Sequence, residues 1–524
     1  MSKNKGFEIE KSTFLPSAII LGVVLLIGIV FPSFFHSSVG YLFDVTTKGF
    51  GWFYLMVSLA LLFICFYIAA SPFGKKIIGG PDAKPEHNVF SWCAMAVCSG
   101  IATAMVFYAV GEPLSYFYNP PAFTYLDPLT PQAAVRAIQI SSFHWSFLYY
   151  GIFAFWGLAV GYMSMNHNLP YRPSSALYPL MKEKVFGWQG KVVDVLSILA
   201  LVGGIVTSLG FGTTQFASGM QFVFGIQPSN TIYALTILVV TLSYTISSSR
   251  GLNKGMKIIS NANAYIYIII TAFLIIFGPT IFLANLFTES VASMLNNFIT
   301  TALNADAFNV GEGWSRNNTV FFMAWIMAYA PLVGMFLAKI SRGRSVRAYL
   351  LVNIFVPGIF VFIWFTAFGG NAIYQDFYNQ AGIYETIQQL GFPVANFALL
   401  QQMPFYSVMI PLLVAVLFFS FITLADAMTG TISSVTLKHS VAGEAPRQIK
   451  LFWGLMIGAT TLICLFALGE VGTTALQTMS IVYALPIFIF TLPVIVSVFR
   501  MVSGQVDAEM ALAGFEIEEE EDAA

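Results

Sequence analysis

Charge is what this sequence has least of. Asp, Glu, Lys and Arg make up 9% of its 524 residues, where a soluble domain carries about 25%. A chain that is 57% hydrophobic over this length cannot hide its apolar side chains in one soluble core, so lipid must solvate much of its surface. A basic excess is missing too. The 24 Lys+Arg against 25 Asp+Glu give a net charge of −1, which excludes nucleic acid as a partner, since nothing is left to neutralise phosphates. Cysteine is scarce, and Cys65, Cys93, Cys98 and Cys464 all fall within apolar runs. Their spacing fits neither a disulfide framework nor a zinc site, which leaves them as small buried hydrophobes. Signatures of catalysis are also lacking: there is no nucleophile elbow, no phosphate loop and no His/Asp/Glu cluster with metal-ligand spacing. His144, next to Trp145 near the outer end of a helix, reads as an interfacial hydrogen-bonder. The chain therefore reads as no enzyme, with no cofactor.

What is present is a series of runs long enough to span a bilayer, for which about 20 apolar residues suffice. Twelve are expected: 15–35, 50–70, 89–110, 141–163, 192–222, 231–249, 258–284, 318–338, 347–368, 403–436, 449–468 and 474–499. The fifth and tenth are long enough to require tilt or an extension past the surface. Lys3, Lys5 and Lys11 precede the first run, but no small-residue cleavage site follows it, so it is read as a retained span and not a signal peptide. With the N-terminus inside, all of the 24 Lys+Arg except Lys48, Arg136 and Arg316 fall on cytoplasmic segments. The positive-inside rule then supports an even number of spans. In the outer loop, Val291, Met294, Leu295, Phe298 and Ile299 recur at helical spacing, which predicts an amphipathic helix over 288–303 lying on the surface. Glu516–Asp522 reads as a solvated acidic tail.

Small and polar residues interrupt some of the apolar runs. The third span contains Ser99-Gly100-Ile101-Ala102-Thr103-Ala104, the eighth carries Trp325, Tyr329 and Pro331, and the tenth carries Ser420, Thr423 and Asp426. Small residues in a membrane helix ordinarily serve close packing. Unwound backbone at membrane depth survives only where it lines a cavity or is held by protein, and in transporters such breaks face the substrate and its coupling ion. The aromatics bear on this. Trp325 and Tyr329 are four residues apart and share a helix face, as do Trp145 and Tyr149, and Tyr149 and Phe153, with Tyr150 beside them. Converging rings hold a cation that has no hydrogen-bond donors, such as a quaternary ammonium.

Several stretches carry a resemblance. They are Glu112-Pro113-Leu114, Phe143-His144-Trp145, Arg172-Pro173-Ser174-Ser175-Ala176, Ser208-Leu209-Gly210, Ser260-Asn261-Ala262-Asn263, and above all Phe336-Leu337-Ala338-Lys339-Ile340-Ser341-Arg342-Gly343-Arg344-Ser345. Along nearly its whole length the chain resembles the betaine/carnitine/choline transporter family. The resemblance implies an all-α integral membrane protein with about twelve transmembrane helices, in which two inverted five-helix repeats (LeuT-like) follow two extra helices. The implied organisation is an N-terminal tail with two accessory helices over 1–84, a first repeat over 85–286, an outer amphipathic helix and loop over 287–316, a second repeat over 317–499 and an acidic cytoplasmic tail over 500–524. It also implies a homotrimer in the plasma membrane (bacterial inner membrane), with both termini cytoplasmic and a small-molecule substrate. On matched positions, Trp325, Tyr329, Trp145, Tyr150, Phe153, Ile101 and Ala102 would bind substrate. Ala102, Thr423 and Asn263 would mark an ion site, and Arg342 and Arg344 would serve gating.

The sequence departs from the family at its working parts. Of the glycines that betaine-type members keep in the third span, only Gly100 of Gly100–Ala104 remains. Ala104 stands where choline-transporting members have an aspartate, which favours a zwitterion that brings its own carboxylate. Ile326 follows Trp325 where the family usually shows two adjacent tryptophans. Met323 stands at the symporters' preceding tryptophan, and Tyr329 at their later one, as in the carnitine exchangers. Losing one ring contact, about 1 kcal/mol or more when desolvated, costs roughly tenfold in affinity or selects another solute, less methylated or a sulfonium. The hydroxyls of the sodium symporters are replaced by Leu201, Ile205 and Leu424, while Asn263 stands where the sodium-independent exchangers place an arginine. The expectation is a secondary transporter of a betaine-like solute working by alternating access, not strictly sodium-dependent, running by exchange or on a proton. The alternatives are a sodium-coupled osmolyte or choline symporter, and a passive channel or membrane sensor.

Overall fold

The computed structural model describes residues 8–100, 102–249, 256–438, 445–467 and 472–512. Among them the secondary structure is helical. In chain order the helices are α1 (Lys11–Val30), α2 (Pro32–Ala70), α3 (Val89–Gly100), α4 (Ala102–Tyr108), α5 (Gly111–Tyr118), α6 (Pro131–Trp145), α7 (Phe147–Asn166), α8 (Tyr178–Met181), α9 (Trp188–Phe224), α10 (Asn230–Ser249) and α11 (Lys257–Phe277). They continue with α12 (Thr280–Ala302), α13 (Phe321–Ile340), α14 (Val346–Phe365), α15 (Asn371–Asn379), α16 (Ile383–Leu390), α17 (Ala395–Gln401), α18 (Tyr406–Val435), α19 (Arg447–Ala467), α20 (Gly472–Val502) and α21 (Gln505–Leu512). Among the described residues, 11 helices are long and apolar enough to cross a bilayer, and the bent pair Val89–Gly100 and Ala104–Tyr118, taken as one span, makes a twelfth.

Local chemistry sets the breaks. Val89–Gly100 and Ala104–Tyr118 meet at 67°, so the interruption expected in the third span is present. The eighth and tenth spans differ from expectation: α13 runs unbroken through Pro331, and α18 through Ser420, Thr423 and Asp426. The irregular backbone lies at positions the sequence did not flag. Ser146 leaves helical geometry between α6 and α7 (φ −110°, ψ −122°), and a π-helical turn, Arg316–Val320, leads into α13. The run expected over 258–284 stops at Phe277, because Gly278 and Pro279 follow, and proline cannot continue the hydrogen-bond ladder. A new helix, α12, starts at Thr280. Its inner face is Leu283, Leu286, Ser290 and Met294. Leu295 and Ile299, expected on the apolar face, point outward instead, 78% and 46% exposed.

The packed centre is α13 against α7 and α9. Nearly every side chain of α13 is buried. Gly157 of α7 and Gly334 of α13 bring two backbones into contact. A Cβ on Gly334 would lie 2.4 Å from the Gly157 nitrogen, and one on Gly157 2.3 Å from the Gly334 carbonyl oxygen. Only glycine permits that approach. At the periphery the pattern inverts. Ile19 and Leu26 on α1, Leu235 and Leu238 on α10, and Ile268 and Ile276 on α11 are exposed, as suits a surface solvated by lipid. At the end of the bundle that carries the basic loops, Glu10 donates its N–H to Thr436 O (2.9 Å), Lys438 donates to Glu8 O (3.0 Å), and Val346 donates to Lys76 O (2.8 Å). The C-terminal α21 joins the same end through ion pairs of Asp507 with Lys76 and of Glu509 with Lys182 and Arg500.

Candidate functional site

The aromatic site is assembled from four helices. Trp145 closes α6, just before Ser146 leaves helical geometry, and its ring meets that of Trp325 edge-on at a centroid distance of 5.9 Å. Phe211 from α9 approaches Trp325 at 5.7 Å, Phe321 stacks on it at 5.4 Å, and Tyr108 from α4 approaches Trp145 at 5.2 Å. One turn along α13 from Trp325, the Tyr329 hydroxyl is 2.6 Å from Ser208 Oγ on α9. The Trp325 indole N–H points at the Gly204 carbonyl, 3.5 Å away. A Cβ on Gly204 would come within 2.7 Å of the Tyr329 ring, so the glycine makes room for that ring. Trp145, Trp325 and Tyr329 are all at most 2% exposed.

The other expected substrate residues take different places. Phe153 and Tyr150 pack on Tyr149 at 4.9 and 5.4 Å, one turn or more beyond Trp145 along the chain, so they form a second tier. Gly100 at the end of α3 faces Tyr150: a Cβ there would be 3.1 Å from that ring. Ile101 lies outside the described residues, and Ala102 is described only as the first residue of α4. Phe211, Phe321 and Tyr108 were missed by the sequence reading. Aromatics are 16% of the chain, and helical spacing within one span cannot reveal rings that arrive from another.

Of the residues expected at the ion site, Asn263 and Thr423 meet at Ser420. Asn263 donates through Nδ2 to Ser420 Oγ at 3.0 Å, the Tyr267 hydroxyl lies 2.7 Å from the same oxygen, and Thr423 Oγ1 donates to Ser420 O at 3.1 Å and approaches Cys98 O at 3.4 Å. Asn263 Oδ1 has no hydrogen-bond partner in the protein. Leu201, Ile205 and Leu424 are buried and contribute hydrocarbon. Each hydroxyl replaced in this way is one oxygen fewer for a hard cation.

At the opposite end of α13, Arg344 spreads its guanidinium over the Trp92 ring at 4.7 Å and donates to His87 O at 2.7 Å. Trp92 in turn donates its indole N–H to Ser341 Oγ at 2.8 Å. These contacts tie the start of α3 to the end of α13. Arg342 is more loosely held, with Glu86 3.8 Å away and both side chains about half exposed. Both arginines lie at least three helical turns from Trp325 along the chain.

His144 is a hydrogen-bonder, and its partners lie inside the protein: fully buried, it has Nδ1 2.6 Å from Glu112 Oε1 and Nε2 3.0 Å from Thr319 Oγ1. Glu112 Oε2 accepts from the Trp145 indole at 2.8 Å.

A helical membrane bundle, broken in one span and enclosing a buried aromatic site, has the architecture of a solute transporter. The betaine/carnitine/choline family transporter model matches residues 12–506, and the chain belongs to that family. It is 33% identical over 499 residues to a probable glycine betaine transporter of Desulfitobacterium hafniense, covering 95% of this chain and 98% of that one. To an ectoine/hydroxyectoine transporter of Virgibacillus pantothenticus it is 33% identical over 502 residues, 96% and 98% of the two chains. With the high-affinity choline transport protein of Escherichia coli K12 it shares 32% identity over 483 residues, 91% of this chain and 70% of the other.

Proposed function

We propose that this transporter moves a zwitterionic methylated-ammonium solute across the plasma membrane by alternating access, by exchange or on a proton, without strict dependence on sodium. The observation that supports the substrate class best is the buried cluster of Trp145, Trp325 and Tyr329. These rings offer quadrupoles to a cation that cannot donate hydrogen bonds. The carboxylate that touches the cluster, Glu112, has both oxygens committed to His144, Tyr116 and Trp145. A solute carrying its own counter-charge therefore suits the site better than a bare cation. Relatives named for glycine betaine, ectoine and choline bracket the same chemistry. Sodium-coupled symport is the second reading; the free Oδ1 of Asn263 beside Thr423 and Ser420 is the observation in its favour. The inverted repeats over 85–286 and 317–499, a homotrimer and cytoplasmic termini belong to the same proposal.

A thermal-shift and equilibrium-binding screen of the purified protein tests the substrate class. The panel is glycine betaine, carnitine, choline, dimethylglycine, a dimethylsulfoniopropionate, ectoine and plain amino acids. The proposal expects the methylated zwitterions to lead. Preference for choline, or for an unmethylated amino acid, would refute it.

A further inference from the structure

We infer that Glu112 is a positioning residue of the substrate site: its carboxylate fixes the indole of Trp145, and so sets the affinity of the aromatic cluster. The inference rests on the proposed function only in taking Trp145 to touch substrate. The geometry is that of a held carboxylate. Glu112, near the start of α5, is 3% exposed. Its Oε2 accepts from Trp145 Nε1 at 2.8 Å. Its Oε1 receives His144 Nδ1 at 2.6 Å and the Tyr116 hydroxyl at 3.1 Å.

The partners are held in turn by a third element. His144 Nε2 is 3.0 Å from Thr319 Oγ1, and the Tyr116 hydroxyl is 3.1 Å from Asn318 Oδ1, both on the π-helical turn that leads into α13. One carboxylate thus links α5, the end of α6 and the approach to Trp325.

A carboxylate buried in this way must have its oxygens satisfied or it is very costly; here each oxygen is. The need for the clamp follows from the backbone. Trp145 is the last residue of α6, and Ser146 departs from helical geometry, so the ladder does not hold this residue firmly from its C-terminal side. A charge-assisted hydrogen bond to the indole, shorter and stronger than a neutral one, supplies the missing constraint.

An amide can replace the carboxylate atom for atom. The Gln oxygen would accept from Trp145, and its NH₂ would donate to His144 Nδ1 and to the Tyr116 oxygen, with the imidazole in its other tautomer and the Tyr116 proton on Asn318. Alanine would leave the indole N–H unpartnered.

The test is a cycle of Glu112→Ala, Glu112→Gln and Trp145→Phe in the full chain, with equilibrium binding of glycine betaine as one readout. The second readout is the ultraviolet resonance Raman band of the indole N–H, taken as the difference between each protein and its Trp145→Phe counterpart. Glu112→Ala should weaken binding about tenfold, Glu112→Gln by about threefold at most, and Glu112→Ala in the Trp145→Phe background by less than about twofold. The Raman band should move toward weaker hydrogen bonding already in Glu112→Gln, which folds even if the alanine variant does not. Equal losses in both backgrounds, or an unmoved band, would overturn the inference. Failure of the unaltered protein to bind glycine betaine, with the band shifting as expected, would count against the substrate reading and leave the hold of Glu112 on Trp145 standing.

Discussion

Trp325 is the side chain on which the site converges. It meets Trp145, Phe211 and Phe321, its indole N–H is directed at Gly204 O, and Tyr329 follows one turn later. On the proposed reading, removing its ring takes away a desolvated cation–π contact, about 1 kcal/mol or more, together with a wall of the aromatic cluster. Trp325→Ala should lower uptake of the preferred solute at least about tenfold while the protein elutes as the unaltered protein does. Unchanged uptake would remove Trp325 from the site. Tyr329→Phe probes one oxygen: it deletes the 2.6 Å contact with Ser208 and leaves Ser208 Oγ without that partner. A neutral buried hydrogen bond is worth about 1 kcal/mol, so a drop in melting temperature of only about one degree with modestly weaker binding is expected. At this scale Trp325, Tyr329 and Trp145 were legible, since the first two share a helix face and Trp145 lies in a recognisable motif. Glu112 and His144 were visible as residues but not as a pair. They stand 32 positions apart, and nothing in their spacing reveals that α5 packs on α6 and brings them within 2.6 Å.

Between elements, the decisive contact is α7 on α13. These helices carry the two tiers of aromatics, and Gly157 and Gly334 set their separation. Gly334→Ala would place a methyl group 2.4 Å from the Gly157 nitrogen, against backbone that cannot rotate away. Overpacking of this kind costs about 1–3 kcal/mol or more. The variant should show a lowered melting temperature and weakened solute binding together, and normal values of both would show that the helices separate freely. The inner end of α13 makes the opposite kind of link. Arg344 reaches Trp92 and His87 at the start of α3, contacts that a motion of α3 against α13 must break and remake. Arg344→Ala, and to a lesser extent Arg342→Ala, should change turnover severalfold with equilibrium affinity nearly unchanged; a large loss of affinity at normal turnover would place them in the binding site. The spans themselves were readable because twenty-residue apolar runs leave few alternatives. Where helices break was less so. Pro331 and the polar residues of α18 suggested interruptions, but continuous helices result, since neighbouring helices in a packed bundle can satisfy the groups that proline frees.

Across the whole molecule the question is what drives transport. Concentrative uptake needs a coupled gradient, and sodium is the ion that the second reading would use. The cluster that could hold it contains Thr423, Ser420, Tyr267, Asn263 and the Cys98 carbonyl, already engaged with one another at 2.7–3.4 Å. Leu201, Ile205 and Leu424, which the resemblance sets at the symporters' hydroxyl positions, are buried hydrocarbon. A sodium ion surrenders its hydration shell only for a nearly complete set of oxygens, because a charge in low dielectric without them is very costly. Asn263 Oδ1 and one or two carbonyls do not amount to such a set. Proteoliposomes loaded with unlabelled solute and given labelled solute outside, with sodium replaced by potassium, should therefore take up label at nearly the same rate. A proton-driven mode would appear as stimulation by an inwardly directed pH gradient in vesicles without internal solute, and pure exchange as no uptake by those vesicles. Strict sodium dependence with a saturable response would contradict the expectation. It would require that the cluster around Asn263 open and recruit backbone carbonyls, such as those at the break between α3 and α4, in place of the hydroxyls absent at Leu201, Ile205 and Leu424.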